Sequence, residues 1–561
     1  MAVAVYKAMK YRCLAGKKIY LNGSWITLPD TAKMYLNGAW HDLTFSGPQS
    51  PVIVPAQTLT HENGTEPATG TKWYITPDGR GTMAGTSWAN AAPGSAVHAV
   101  LLSCSAGDSV YFSSGDYAPD RTLVLPAGVN LYGGFVPGNE SWATRSGFAH
   151  QSIFTGTGTF GWMDGSAAVS GQIVDGFVIS NYASTITGNN AALRNSIVTL
   201  GTASLRTAYN CVFVSTASTV YDAEKCNFFY GSSCNVTNSA RYVNVVGTNS
   251  TPVYTKLSGA QYCTAVYCCI SGEEIHGATS MFVAQAVYCS AINCQATAVA
   301  QGNTVYVNPR RSCSIFGGYA THCLAVNCLA TAASDIPGNN GNENLECLIF
   351  GRKSHDCAAV NCLASISLAY SSDNSRVSIF AGEEINCLAV NCSSQGNGLH
   401  GIFDYSGSIV LNCTAVNCSV NSNFYRTFNK SGGASSAIEN CIAWNCERGD
   451  LPVSTTSASS TYSEGLTLTL GNDNSIARFT DTGYFPAQGV QDVGDCPDPI
   501  SDPTGYAAYL AAFGDWHPSA DSFLVGRGTA DQNVTTDADG VARPDPPTIG
   551  AYEPRPTNGG E

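Results

Sequence analysis

Seven times between residues 263 and 446 the chain places two cysteines five positions apart, with nearly the same residues between them. "HCLAVNC" (322–328) returns as "DCAAVNC", "NCLAVNC", "NCTAVNC" and "NCIAWNC". The phrases start at Cys263, Cys289, Cys323, Cys357, Cys387, Cys413 and Cys441, in steps of 26, 34, 34, 30, 26 and 28 residues. Self-similarity at this period marks a solenoid or an array, because one repeat buries its apolar face only against its neighbours. An apolar pair travels with the phrase: Met281-Phe282, Ile315-Phe316, Ile349-Phe350, Ile379-Phe380 and Ile402-Phe403. In the first four cases its second residue lies seven positions before the first Cys. Each repeat therefore carries at least two short strands joined by a turn.

The cysteines read as packing residues. Structural zinc uses closer cysteine pairs that converge two by two, and no other ligand type recurs here at regular spacing. The total of 23 cysteines is odd, which weakens a disulfide framework. The start "MAVAVYKAMKYRCLAG" is broken by Lys7, Lys10 and Arg12, so no secretory signal is expected and the thiols are expected to stay reduced. Cys packs as a small hydrophobe. In a parallel solenoid, equivalent residues of successive coils stack about 4.8 Å apart. The Asn before the second Cys recurs as Asn293, Asn327, Asn361, Asn391, Asn417 and Asn445. Asn tolerates left-handed geometry at a corner, and stacked Asn side chains make a ladder. A corner there lets both cysteines face inward. Tighter versions, "VDGFVIS", "LRNSIVT", "AYNCVFV" and "AEKCNFF", lie between Val174 and Phe229.

Only 12% of residues are charged and the net charge is −14, which excludes a nucleic-acid surface. Gly reaches 57, and the composition favours strands and turns. No apolar run of about 20 residues exists, so no membrane insertion is expected.

Both flanks of the repeats carry further text. "WYITPDGRGTMAGTSWANA" (73–91) precedes "AGDSVYFSSGDYAP" (106–119) and "VNLYGGFVPGNESWATR" (129–145), and the far end reads "DWHPSADSFLVGRGTADQNVTTDADGVARPDPPTIGAYEP" (515–554). Over about residues 72–554 the chain resembles bacterial right-handed parallel β-helix proteins of the pectate-lyase-like superfamily. The resemblance implies an all-β solenoid with an N-terminal capping helix, which "PGSAVHAVLLSCSAG" (93–107) fits through Val97, Val100, Leu101 and Cys104. It is specific for fold and weak for function, since the scaffold hosts adhesins, lyases, hydrolases and phage spikes. No anchor segment is expected after it, which speaks against the cell-surface reading.

Ahead of it, "IYLNGSWITL" and "MYLNGAWHDL" each set Asn-Gly between strand-like runs, a strong hairpin signal. These units are similar to short phrases of phage tail and baseplate proteins. The expected organisation is a hairpin attachment module (1–46), a linker (47–71), a β-helix start with its capping helix (72–170), a shaft (171–450) and a C-terminal end with a cap (451–561). The resemblance implies a virion tail spike or fibre, a homotrimer held to tail or baseplate proteins through its N-terminus near Trp25 and Trp40, with a host surface glycan as receptor. A polysaccharide depolymerase spike and a bacterial surface adhesin are the alternatives.

Aligned on the phrase, "GGYATH" (317–322), "GRKSHD" (351–356) and "AGEEIN" (381–386) stack in one column. Asp356, Glu383 and Glu384 are then candidate catalytic carboxylates, since glycoside cleavage uses two about 5–9 Å apart. His322, Arg352, Lys353 and His355 are candidate glycan contacts. "SGEEIHG" (271–277) offers Glu273, Glu274 and His276 on an earlier coil. The bland alternative is a solvated edge of mixed charge. No cofactor and no metal are expected: Asp537 and Asp539 in "TTDADGVARPD" read as a turn, because the full calcium-loop pattern is missing. Trp25 and Trp40 also read as hairpin packing residues, and Trp444, in place of the Val of its siblings, as either an outward-facing residue or a cap on the last coil.

Overall fold

In the computed structural model the chain divides into two compact units, Ala56–Ser258 and a second one made of Met1–Pro55 with Gly259–Glu561. The structure describes residues 60–446 except 189, 249, 273–275, 301–309, 335–343, 369–374, 397–398, 406–408, 422–426 and 431–436; it also describes 496–497, 502–522, 524–555 and short strands within 12–42, 458–463 and 479–481. The class is all-β, and both units contain a right-handed parallel β-helix, the hand that a twisted strand imposes on a parallel crossover. Among the described residues, no helix is long and apolar enough to cross a membrane.

The Ala56–Ser258 unit opens with Lys72–Thr76 and Ser109–Ser113 paired in parallel, the latter extending to Asn130–Phe135. The capping helix is Val97–Ser103, and it buries Val97, Val100 and Leu101. Cys104 follows the helix at its C-cap. The core beneath is aromatic. Phe112, Phe154 and Phe177 meet edge to face at 5.3–5.7 Å, with Trp162 tilted against Phe154 and Phe177.

The tight upstream phrases then align one on another: Val178↔Ile197, Ile197↔Val212 and Val212↔Asn227. Fifteen residues complete a coil here, as the pairing of Ile197–Tyr209 with Val212–Glu224 requires. Ile197, Val212 and their outward neighbours stay half-exposed, so these strands alternate between buried and wet positions.

In the second unit each coil has four strands, as in Leu324–Val326, Leu329–Ser334, Asn344–Phe350 and Lys353–His355. Each pairs in register with its counterpart one coil on: Leu324↔Ala358, Leu329↔Leu363, Cys313↔Cys347 and Lys353↔Glu383. Like therefore sits on like. Phe282, Phe316, Phe350, Phe380, Phe403 and Phe428 stack with ring centroids 4.6–4.9 Å apart. Both cysteines of each phrase point inward; Cys323 and Cys328 are buried, as are their stacked equivalents except Cys446 of the last phrase, which is half-buried. The second-cysteine thiols follow one rule. Cys294, Cys328, Cys362, Cys392 and Cys418 each donate to the carbonyl of the phrase alanine one coil back, at 3.3–3.5 Å. No disulfide joins the described cysteines.

The strand between the two cysteines is buried on both faces: Leu324, Ala325 and Val326 all lie inside. The cover is the C-terminal segment, which lies along this flank. Ala551 N–H donates to the Thr414 hydroxyl at 3.0 Å, and Gly550 packs so close to Ile442 that a Cβ would lie 2.4 Å from its Cδ1. Burial on two faces explains why "LAV" is apolar throughout while the uncovered upstream strands alternate.

At the N-terminus both expected hairpins are present. Lys18–Leu21 pairs antiparallel with Ser24–Thr27, and Lys33–Leu36 with Ala39–Asp42. The side chains of Trp25 and Trp40 lie outside the described residues.

Candidate functional site

Each phrase turns twice, once before each cysteine, and both turns are left-handed. Asn327 and Asn361 each have φ of 52°. The Nδ2 of each Asn donates to the Oδ1 of its counterpart one coil back: Asn327 to Asn293 at 2.6 Å, Asn361 to Asn327 at 3.0 Å, Asn391 to Asn361 at 2.9 Å, Asn417 to Asn391 at 2.7 Å and Asn445 to Asn417 at 3.0 Å. A second left-handed column precedes the first cysteine: Tyr262, Tyr288, His322, Asp356, Asn386, Asn412 and Asn440, with φ of 50–54°. Its lower part is a ring stack, Tyr262 on Tyr288 at 5.2 Å and Tyr288 on His322 at 4.6 Å. Its upper part is an amide ladder, Asn386 to Asp356 at 2.9 Å, Asn412 to Asn386 at 3.1 Å and Asn440 to Asn412 at 2.9 Å.

The strand leading into this corner carries the candidate residues, and its pleat sorts them. Tyr319, Lys353 and Glu383 are in register and face outward, as are Thr321 and His355. Between them runs an inward column of Ala320, Ser354 and Glu384. Adjacent residues of a strand face opposite ways. Glu383 therefore reaches solvent while Glu384 is fully buried, and among the described residues neither of its carboxylate oxygens has a hydrogen-bond partner. Burial pushes the Glu384 carboxyl well above its usual range, and the nearby Cys387 and Asp404 push the same way.

Glu383 is the centre of the outer group. Lys353 Nζ reaches its Oε2 at 2.6 Å and His355 Nε2 its Oε1 at 3.1 Å. Partial burial opposes ionisation, but the bonds from Lys353 and His355 outweigh it and hold this carboxyl below its ordinary range. Tyr319 is half-exposed, with the Lys353 ammonium 5.9 Å from its ring centre, and Arg352 is exposed beside Lys353. Asp356 accepts from Asn386 on one oxygen and faces His322 Nε2 at 3.7 Å with the other. Burial raises the Asp356 carboxyl against the pull of Asn386 and His322. Burial lowers His322, and Asp356 opposes that. The fold thus gathers His322, Lys353, His355, Asp356 and Glu383 on neighbouring coils and leaves Glu384 in the lumen.

The C-terminal segment closes the corners further along. Arg543 donates to Asn386 Oδ1 at 3.1 Å, and Asn386 donates to the Thr536 carbonyl at 2.9 Å. Asn440 and Thr529 exchange two bonds at 2.7 Å. Asn361 donates to the Tyr509 hydroxyl at 2.9 Å and Asn293 to the Cys496 carbonyl at 2.8 Å. This segment is tied by a buried His517 between Asp515 at 2.6 Å and Asp539 at 2.9 Å. Burial disfavours the charged imidazole, yet the two carboxylates raise it to about 9. Asp537 makes a turn: it accepts from the N–H groups of Asp539, Val541 and Glu553. Trp444 packs against Trp516 at 5.4 Å, and Trp88 against Tyr74 at 4.9 Å. Glu273 and Glu274, and the side chain of His276, lie outside the described residues.

The second left-handed column was not anticipated. Its residues differ from coil to coil, so no repeated letter announces it; their constant place before the first cysteine was the available signal.

No family model and no curated protein matches this sequence. Among solved structures, pectate lyase Pel9A is similar at 12% identity over 88% of this chain and 99% of that one, with a TM-score of 0.22. The catalytic domain of a GH87 alpha-1,3-glucanase, solved with nigerose, is similar at 13% identity over 74% of this chain and 71% of that one, with a TM-score of 0.29. Tailspike protein 3 of Bacteriophage CBA120 is similar at 13% identity over 71% of this chain and 62% of that one, with a TM-score of 0.24. Likenesses of this degree assign this chain no site and no activity. The class of protein is set by its own strand pairing, a parallel β-helix with an N-terminal capping helix and antiparallel hairpins ahead of it.

Proposed function

We propose that this chain is a glycan-binding tail spike or fibre of a phage virion, with the outward strip of Tyr319, Lys353, His355 and Glu383 as its receptor contact. The observation that carries the reading is the Lys353–Glu383–His355 group. It presents donors and acceptors from two adjacent coils on a rigid sheet, beside a half-exposed aromatic ring. Mixed polar groups next to an aromatic surface suit a sugar, which offers hydroxyls around its rim and C–H bonds on its face. Arg352 adds an exposed guanidinium for an acidic substituent. The hairpin module with Trp25 and Trp40 is the proposed hold on tail or baseplate proteins, and the working form is a homotrimer. A bacterial surface adhesin is the rival location. Immunogold electron microscopy with antibody against residues 72–554 tests this: gold at tail tips supports the virion, and gold on bacterial envelopes alone contradicts it.

A depolymerase reading draws on a different observation. Asp356 and Glu383 sit on neighbouring coils in environments that shift them apart, Asp356 up and Glu383 down. Such a pair suits acid and base roles. Asp356 would protonate the leaving glycosidic oxygen, while Glu383 takes a proton from the water that attacks the sugar carbon. Release of reducing ends from a capsular polysaccharide, abolished by Asp356→Asn and by Glu383→Gln, would support it. No release from any polysaccharide that binds leaves the strip a receptor contact alone.

A further inference from the structure

We infer that the Ala56–Ser258 unit carries a second carbohydrate-binding face, for an uncharged glycan, on the outer side of its 15-residue coils. The floor is a flat array set by register. Thr202 pairs with Ala217 and Ala217 with Ser233; Ser204 pairs with Thr219 and Thr219 with Asn235. All six are exposed or half-exposed, and none carries charge. In a chain of net charge −14 this is a neutral window: the hydroxyls of Thr202, Ser204, Thr219 and Ser233 can each donate and accept, and Ala217 sets a methyl group among them.

Each side of the floor ends in a large side chain held up into solvent. On one side Tyr221 remains 38% exposed, with the Arg206 guanidinium 3.9 Å from its ring centre. That stacking fixes the ring and leaves Arg206 with hydrogen-bond donors to spare. On the other side lies the corner column Leu200, Ser215 and Tyr230, with φ of 56°, 52° and 52°. Leu200 and Tyr230 are each 54% exposed.

The corner is the independent observation. A bulky residue in the left-handed region is strained, and such strain persists where something compensates it or uses it. Elsewhere the compensation is visible: Tyr262 and Tyr288 stack on each other, and the Tyr267 hydroxyl bonds the Cys496 carbonyl. At equivalent corners the chain uses Asn, which adopts this geometry readily. Leu200 and Tyr230 gain little burial from their strained corners and instead wall the polar floor with apolar surface. The hydroxyl-rich floor, with no carboxylate among its six residues, and the apolar walls together fit the rim and the C–H faces of a neutral sugar chain.

Native gel electrophoresis of the full chain through gels cast with dextran, mannan, galactan or polygalacturonate tests this. The expected result is retardation by at least one neutral polymer, weakened about tenfold in apparent affinity by Tyr230→Asn and by Thr219→Lys. Tyr230→Asn is also expected to melt no lower than the wild type, because Asn relieves the corner. The pair Lys353→Ala and Glu383→Gln, in the other unit, leaves this retardation unchanged, so the two sites fail separately. Retardation by polygalacturonate but by no neutral polymer, or retardation that Thr219→Lys leaves intact, overturns the proposal.

Discussion

Asn361 donates to Asn327 across one coil at 3.0 Å, and both hold the same left-handed turn, with φ of 52°. This rung joins two costs that the sequence meets with one residue type. A left-handed corner costs an ordinary residue about 1–2 kcal/mol, and a buried amide needs a partner on both sides. Asn361→Val reintroduces the strain and leaves Asn327 and Asn391 each short of a bond. The expected loss is about 2–4 kcal/mol, read as a lowered urea midpoint. Asn361→Gly keeps the corner and loses the ladder, so it is expected to cost less. Equal losses for the two variants would mean the corner geometry contributes nothing.

Glu384 should weaken the fold at neutral pH. Its folded carboxyl is raised above its unfolded value, so the stability associated with it is complete below the ordinary carboxylate range and falls as pH rises from there. Glu384→Gln removes the charge that the lumen refuses. Thermal melts are expected to show the variant more stable than the wild type at pH 7 to 8, with the difference shrinking toward pH 4. A destabilised variant at every pH would place a cation or another partner on this carboxylate.

His517 gives the opposite group the same sign. Its imidazolium is favoured in the folded state, up to about 9, so its contribution is fully present below about pH 6.5 and is lost as pH rises through 9. Hydrogen exchange across 502–555 is expected to accelerate between pH 7 and 9.5 beyond the intrinsic chemical trend. His517→Gln should flatten that excess. Exchange that stays parallel in the two proteins would sink the latch.

The thiol columns are expected to be reduced and sealed. Among described cysteines only Cys104, Cys269 and Cys446 are other than buried. A thiol reagent should therefore label few sites in the native protein and all 23 after denaturation without reductant. A denatured count well below that would show disulfides and refute the packing account.

Much of the fold was legible because stacking repeats letters. The phrase from Cys323 to Cys328 exposes a strand, a corner and two inward thiols, and the Ile-Phe pair exposes the phenylalanine stack. Legibility stopped where contacts are made once. Nothing in the repeated phrase tells that the C-terminal segment covers the "LAV" strands, although their lack of alternation was a sign that something must. The site was half legible: alignment brought Lys353, His355, Asp356 and Glu383 onto adjacent coils, but treating Glu383 and Glu384 as equivalent ignored the pleat. Ala320 and Ser354 at the same register already marked that position as the small, inward one.

The most direct test of the central claim is binding of the full chain to an array of bacterial surface glycans, wild type beside a Lys353→Glu, Glu383→Lys exchange variant. The exchange keeps the net charge of the strip and inverts its pattern, while a matching melting temperature verifies the fold. The account predicts that the wild type binds a restricted set of glycans and that the exchange abolishes binding to that set. An identical glycan profile for the two proteins would contradict it and take the receptor contact away from this strip.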